Sequence, residues 1–224
     1  MAFDRVFVDV DVQRDFCEPT GALYVKGSPN DRFRALTRFA VAHRIPILGS
    51  VDSHAWDAWE FASSPTKGPS GAKPDFPDHC VKGTPGWLKV EGTLPPRFRF
   101  VPNVAGLPSD APLDAIVGEL VKGETQGVYF EKEVYSLFAN PLADRFLQKL
   151  VAASGGKPEL VVYGVATDYC VRAAALGLAE RGYTTTVLTD AVAGITPEGT
   201  KEALDAMQAA GVKLATTRDV VGDA

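Results

Sequence analysis

The feature that most constrains this chain is a rhythm: short apolar runs alternate with longer stretches in which apolar residues return every three or four positions. Residues 5–10, 45–51, 127–131, 160–163, 184–189 and 212–216 have the length of strands, and the first is apolar enough to predict cover on both faces. Between them lie helical patterns: Phe33, Leu36, Phe39 and Ala40 after Asn30; Leu142, Phe146 and Leu150 after an Asn140-Pro141 start; Leu204 and Met207 within 197–210. Residues 98–101 alternate like a short edge strand, and 112–121 have helical spacing at Leu113, Ile116, Val117 and Leu120. A strand reached through a helix runs parallel to its predecessor. The expected fold is therefore α/β, a Rossmann-like three-layer sandwich with a mostly parallel central sheet and helices on both faces. With 224 residues, 46% of them hydrophobic, one domain over 1–224 can bury a full core. From 53 to 96 the pattern turns irregular, rich in glycine and proline and carrying Trp56, Trp59, Phe61, Phe76 and Trp87. Such a segment, extending to about 125, is too long for a passive connection and reads as a lid or site wall.

Ligands of open α/β sheets sit beyond the carboxyl ends of the strands. Asp11 follows the first strand, Lys132 ends the strand at 127–131, and Cys170 lies in Gly164-Val165-Ala166-Thr167-Asp168-Tyr169-Cys170-Val171, where an apolar strand turns into a helix. A thiol opening a helix meets unpaired backbone N–H groups and the positive end of the dipole, which lower its pKa; the same amides suit an oxyanion. Taken singly, Asp11 is a loop cap, Lys132 a solvated charge and Cys170 a small buried apolar residue. Together they form an acyl-transfer set in which the carboxylate takes the thiol proton and the thiolate attacks a carbonyl.

Two of the three histidines lie in suggestive surroundings. Asp52-Ser53-His54 puts a carboxylate and an imidazole on one side of an extended chain, and Glu60 and His79 would close an octahedral or distorted site for one divalent ion. That donor set suits zinc, with manganese or iron as alternatives, although a loop region also gathers Asp, His and Glu incidentally. His43 reads as a plain surface residue or a helix C-terminal cap.

Asp11-Val12-Gln13-Arg14-Asp15-Phe16-Cys17, the Lys132 strand end and the Cys170 turn together resemble the isochorismatase-like cysteine hydrolases. The resemblance runs from the first strand to the helix after Cys170. It implies Asp11, Lys132 and Cys170 as catalytic triad, a cis Val165–Ala166 peptide, and an oxyanion hole from the amides of Ala166 and Cys170. Asp52-Ser53-His54 with Pro77-Asp78-His79-Cys80-Val81-Lys82-Gly83-Thr84-Pro85-Gly86 is similar to the metal-binding nicotinamidase (pyrazinamidase) branch. That likeness implies Asp52, His54 and His79 as ligands with Glu60 as a variable fourth, and Phe16, Phe76, Tyr135 and Tyr169 against a flat heteroaromatic ring. The plain reading of the aromatics is core packing, favoured for Phe76 over Phe16. Pro77-Asp78 in place of a proline-rich dipeptide, and the long stretch from Gly86 to Lys132, depart from the family pattern at the pocket entrance.

A net charge of -5 and a pI near 5.3 argue against nucleic acid or an anionic membrane as partner. The cysteines, Cys17, Cys80 and Cys170, are odd in number and widely spaced, which fits a reducing cytoplasm rather than a disulfide framework. No secretory pattern precedes the first strand, and no run reaches membrane-spanning length. The expectation is a cysteine amidase that converts nicotinamide to nicotinate and ammonia through a thioester. The alternatives are a related amidase for a ureido or carbamoyl compound and a non-catalytic ligand-binding relative. Sheet edges and apolar helices permit a homo-oligomer without specifying one.

Overall fold

The computed structural model describes residues 3–66, 68, 76–104 and 109–222. Seven strands form one sheet: β1 (Arg5–Val10), β2 (Ile47–Asp52), β3 (Phe98–Val101), β4 (Gly127–Lys132), β5 (Glu159–Val165), β6 (Thr185–Ala193) and β7 (Lys213–Ala215). Their spatial order is β3-β4-β2-β1-β5-β6-β7, and each neighbouring pair is parallel. The helices are α1 (Arg14–Cys17), α2 (Asn30–His43), α3 (Ala111–Lys122), α4 (Ala143–Ala153), α5 (Arg172–Glu180), α6 (Pro197–Ala209) and α7 (Thr217–Val221).

The strand period of two sorts each run of apolar residues into two cores. On one face Val6, Val8, Val10, Val128, Phe130, Leu160 and Val162 meet Leu113 and Val117 of α3, Phe146 and Leu150 of α4, Leu178 of α5 and Met207 of α6. On the other, Phe7, Ile47, Tyr129, Val161 and Tyr163 meet Phe33, Leu36 and Ala40 of α2 and Val220 of α7. Each large side chain covered in this way contributes about 1.5–3 kcal/mol, so the doubly covered centre of the sheet is its most rigid part. Among the described residues no helix is long and apolar enough to cross a membrane.

The direction of the winding reverses at β1, which lies between β2 and β5. Register then sets the strand ends side by side: Val10 is opposite both Ser50 and Gly164, and Asp52 is opposite Lys132. Gly164 is needed at that crowded point. Its φ is 128°, and a Cβ there would collide with the carbonyl of Val10.

Some boundaries differ from the sequence expectation for physical reasons. β2 starts at Ile47, after Pro46, which has no N–H for a ladder. The polar stretch before Asn30 contains the short α1, and α7 follows β7 with Thr216 and Asp219 forming a capping box. Asn140 does not open α4, which begins at Ala143. Its side chain is instead a buried staple: Nδ2 donates to the carbonyls of Val101, Pro102 and Glu131, and Oδ1 accepts from Leu142 N. Of the irregular stretch from 53 to 125, residues 67, 69–75 and 105–108 lie outside the described residues; its later part supplies β3 and α3.

Candidate active site

The strand ends deliver three groups to one place. Asp11, one residue past β1, takes φ 49°, a left-handed conformation that aspartate tolerates better than most residues, and its Oδ1 accepts from Ser50 Oγ at 2.7 Å. Lys132, the last residue of β4, is fully buried; its Nζ lies 2.8 Å from Asp11 Oδ2 and 3.7 Å from Cys170 Sγ, and also bonds Asp52 Oδ1. Cys170 sits in a π-helical turn, Thr167–Val171, that leads into α5. The amides of Tyr169 and Val171 both donate to Ala166 O, at 3.1 Å each, and the Val165–Ala166 peptide is cis. The nucleophile candidate thus belongs to a wide turn ahead of the helix, where the sequence expectation had it opening the helix.

That placement changes the electrostatics. Burial pushes the Cys170 thiol well above its ordinary range, Lys132 opposes the shift, and Asp11 and Asp52 add to it. These surroundings run against the lowering expected from a helix dipole: burial and the two carboxylates favour the protonated sulfur. Burial also raises the Asp11 carboxyl, against Lys132, which keeps it a competent proton acceptor for a thiol. Burial would raise Asp52 as well, but the Lys132 ammonium and the imidazoles of His54 and His79 outweigh it and hold Asp52 far below the usual carboxylate range. Lys132 loses by burial and gains more from Asp11 and Asp52, so it stays charged.

Asp52 turns its second oxygen toward the histidines. Ligand atoms of Asp52, His54 and His79 all lie within 4.8 Å of one another. Asp52 Oδ2 is 3.7 Å from His54 Nε2 and 3.8 Å from His79 Nε2, and Glu60 Oε1 is 3.0 and 3.7 Å from the same two nitrogens. The donors fit a divalent ion. His79 Nδ1 donates to Pro77 O at 2.8 Å, which aims Nε2 at Asp52 and Glu60, and both ring nitrogens of His54 are buried without a hydrogen bond. The carboxylates of Asp11 and Asp52 share one buried ammonium, Lys132, and Glu60 adds a third buried carboxyl beside the imidazoles, a concentration of acidic groups that a divalent cation would neutralise. His43 lies elsewhere, at the end of α2, with Nδ1 bonded to Phe39 O at 2.9 Å.

A pocket opens over Cys170 with Asp52, Glu60 and His79 at its floor, and Phe16, Phe76, Tyr135 and Tyr169 all line it. Phe16 is the better buried of the two phenylalanines and belongs to the second core, whereas Phe76 is half-buried; the packing preference drawn from sequence is reversed. Leu23, Val25, Val134 and Ile195 line the same pocket and had no distinguishing sequence signal, being isolated apolar residues in loops. Gln13 was also missed as a support. Its amide bonds Asp52 both ways, Nε2 to Asp52 O and Asp52 N to Oε1, each at 2.8 Å, and Nε2 also reaches Trp87 O. Asp15 holds the neighbouring wall through Cys80 N, which donates to its Oδ2 at 2.7 Å, next to His79. Their signal was their position, a polar residue every second step after Asp11.

An all-parallel α/β sheet with a buried acid, lysine and cysteine at its switch point, beside a cluster of imidazoles and carboxylates, defines a class of α/β proteins built to handle a small ligand at the strand ends. Residues 5–219 match the Isochorismatase domain, and the chain belongs to that family. It is 31% identical over 212 residues to the nicotinamidase/pyrazinamidase of Mycobacterium tuberculosis, covering 94% of this chain and 97% of that one. It is 30% identical over 227 residues to the nicotinamidase of Escherichia coli, covering 96% of each. A solved pyrazinamidase of Pyrococcus horikoshii in complex with zinc superposes with a TM-score of 0.67 at 28% identity, over 96% of this chain and 99% of that one.

Proposed function

We propose that this chain is a metal-containing nicotinamidase-type amidase that hydrolyses nicotinamide to nicotinate and ammonia. The observation that carries the reading is the meeting of Asp11, Lys132 and Cys170 beneath an aromatic-walled pocket whose floor holds Asp52, Glu60 and His79, with the buried His54 within ligand distance of Asp52 and His79 behind it. The names of its relatives supply the substrate.

As nicotinamide enters with its carboxamide at Cys170, Asp11 removes the thiol proton and Lys132 stabilises the two anions as they form. The thiolate attacks the amide carbon, and the amides of Ala166 and Cys170 hold the resulting oxyanion. Asp11 returns its proton to the leaving nitrogen, ammonia departs, and a thioester remains. Asp11 then takes a proton from water, the hydroxide attacks the thioester carbon and expels the sulfur, and Asp11 returns the proton to that sulfur, which leaves nicotinate and restores the thiol. Phe16, Phe76, Tyr135 and Tyr169 present apolar faces and edges to the ring and exclude bulk water. Asp52, His54 and His79, with Glu60, would hold one divalent ion, zinc in the first place and manganese or iron otherwise; when bound, it supplies a Lewis acid for the ring nitrogen. Free cysteines at 17, 80 and 170 suit a reducing cytoplasm.

The test is ammonia release from nicotinamide by the purified protein and by Cys170→Ala, with metal content measured on the same samples. The expected result is turnover by the native chain, about one divalent ion per chain in both proteins, and no turnover by the variant. Hydrolysis by Cys170→Ala at the native rate would overturn the mechanism.

A further inference from the structure

The loop after β6 is fastened to the nucleophile turn by a single carboxylate. Asp168, two residues before Cys170, accepts the amide of Ile195 on both oxygens, at 3.0 and 3.2 Å, and that of Thr196 at 3.3 Å. The fit is close: a Cβ on Gly199 would lie 2.8 Å from Asp168 Oδ2, and one on Gly194 would collide with Thr200 Oγ1. Thr196 caps α6 by accepting Gly199 N, and its carbonyl accepts Thr200 Oγ1 at 2.7 Å, so the loop is held from both sides. Upstream, the β5–β6 ladder slips. Val162 pairs with Val187 but Gly164 pairs with Val192, and the residues between bulge out, which carries the end of β6 alongside the Cys170 turn.

The consequence is a pocket with a polar floor and an apolar lip. Asp52, His79 and Cys170 are 5%, 3% and 6% exposed, whereas Val134, Tyr135 and Ile195 are 39%, 43% and 45% exposed. A pyridine ring with its carboxamide at Cys170 and its nitrogen toward His79 would direct one ring carbon, meta to both, away from the floor and toward the lip.

We infer that Ile195 is a specificity-determining residue, limiting the substituent that an aromatic amide can carry on this outward carbon, and that Asp168 is its positioning residue. The inference rests on the nicotinamidase reading above. Ile195 has no hydroxyl, amide or charge to offer a substrate, so its action is steric, and the Asp168 bonds decide how close it stands to the ring.

The experiment compares kcat/KM for nicotinamide, 5-methylnicotinamide and 5-propylnicotinamide in the native chain, Ile195→Ala, Ile195→Phe, Asp168→Asn and Asp168→Ala. One methylene gained or lost in an apolar pocket changes discrimination by roughly 10–200-fold. Ile195→Ala is expected to raise the 5-propyl to nicotinamide ratio by about tenfold or more, and Ile195→Phe to lower it. Asp168→Ala should move the ratio in the Ile195→Ala direction, with Asp168→Asn, which keeps one acceptor oxygen, in between. Ratios within about twofold of native in both Ile195 variants would overturn the specificity role. A loss in Asp168→Ala that is equal for every substrate would overturn the positioning role. A native chain that turns over none of these amides would instead overturn the nicotinamidase reading, and this inference with it.

Discussion

Lys132→Met removes the charge at the centre of the site while nearly conserving volume. Lys132 Nζ bonds Asp52 and lies 2.8 Å from Asp11, and those carboxylates are 5% and 0% exposed. Breaking a buried ion pair from one side costs about 3–5 kcal/mol, because the remaining charge is left uncompensated; here two carboxylates lose one counter-ion, which points to the upper end of that range. The assay is urea unfolding of metal-free protein, native against variant. The penalty must also depend on pH with a definite sign. Without Lys132, Asp52 keeps only the imidazoles of His54 and His79 against burial, so its pKa rises, and Asp11, a buried carboxyl whose folded pKa already lies above its ordinary value of 3.8, loses the ammonium that opposed that shift. Such a group costs nothing below its unfolded pKa and destabilises progressively as pH rises through its folded pKa. The penalty should therefore be smaller at about pH 5 than at about pH 8, and Asp11→Asn in the Lys132→Met background should recover part of it. A penalty below about 1 kcal/mol, or one identical at both pH values, would refute this account of the site.

Two further measurements probe its other parts. Gln13→Leu strips Asp52 of both amide bonds and is expected to weaken divalent-metal affinity about 10–100-fold in a chelator competition, with native affinity as the opposing result. Iodoacetamide should alkylate Cys170 at a rate that still climbs at about pH 9, followed by peptide mass mapping, since burial, Asp11 and Asp52 keep the sulfur protonated; a plateau below about pH 7 would mean a resting thiolate.

The elements most visible in sequence were those whose pattern one local rule explains. β1 and β5 read as strands because both faces are covered, and α2 and α6 because one stripe is. Asp11, Lys132 and Cys170 were visible because each follows or ends such a run, and Asp52-Ser53-His54 because two ligand types lie two steps apart. The residues that escaped notice act only across the sheet. Ser50 reaches Asp11 because β2 adjoins β1; Gln13 holds Asp52 across the same neighbours; Ile195 reaches the pocket because β6 bulges. Asn140 was seen as a local cap, when its amide partners come from the ends of β3 and β4.

The order of apolar runs and helices was enough to determine a parallel α/β sheet, since side-chain periodicity and crossover chirality are properties of the chain itself. The state of the sulfur was not. Whether Cys170 rests as thiol or thiolate depends on two carboxylates and an ammonium brought in from β1, β2 and β4, and on how completely water is excluded from them. Those are distances and burial, quantities that exist only once the sheet has closed.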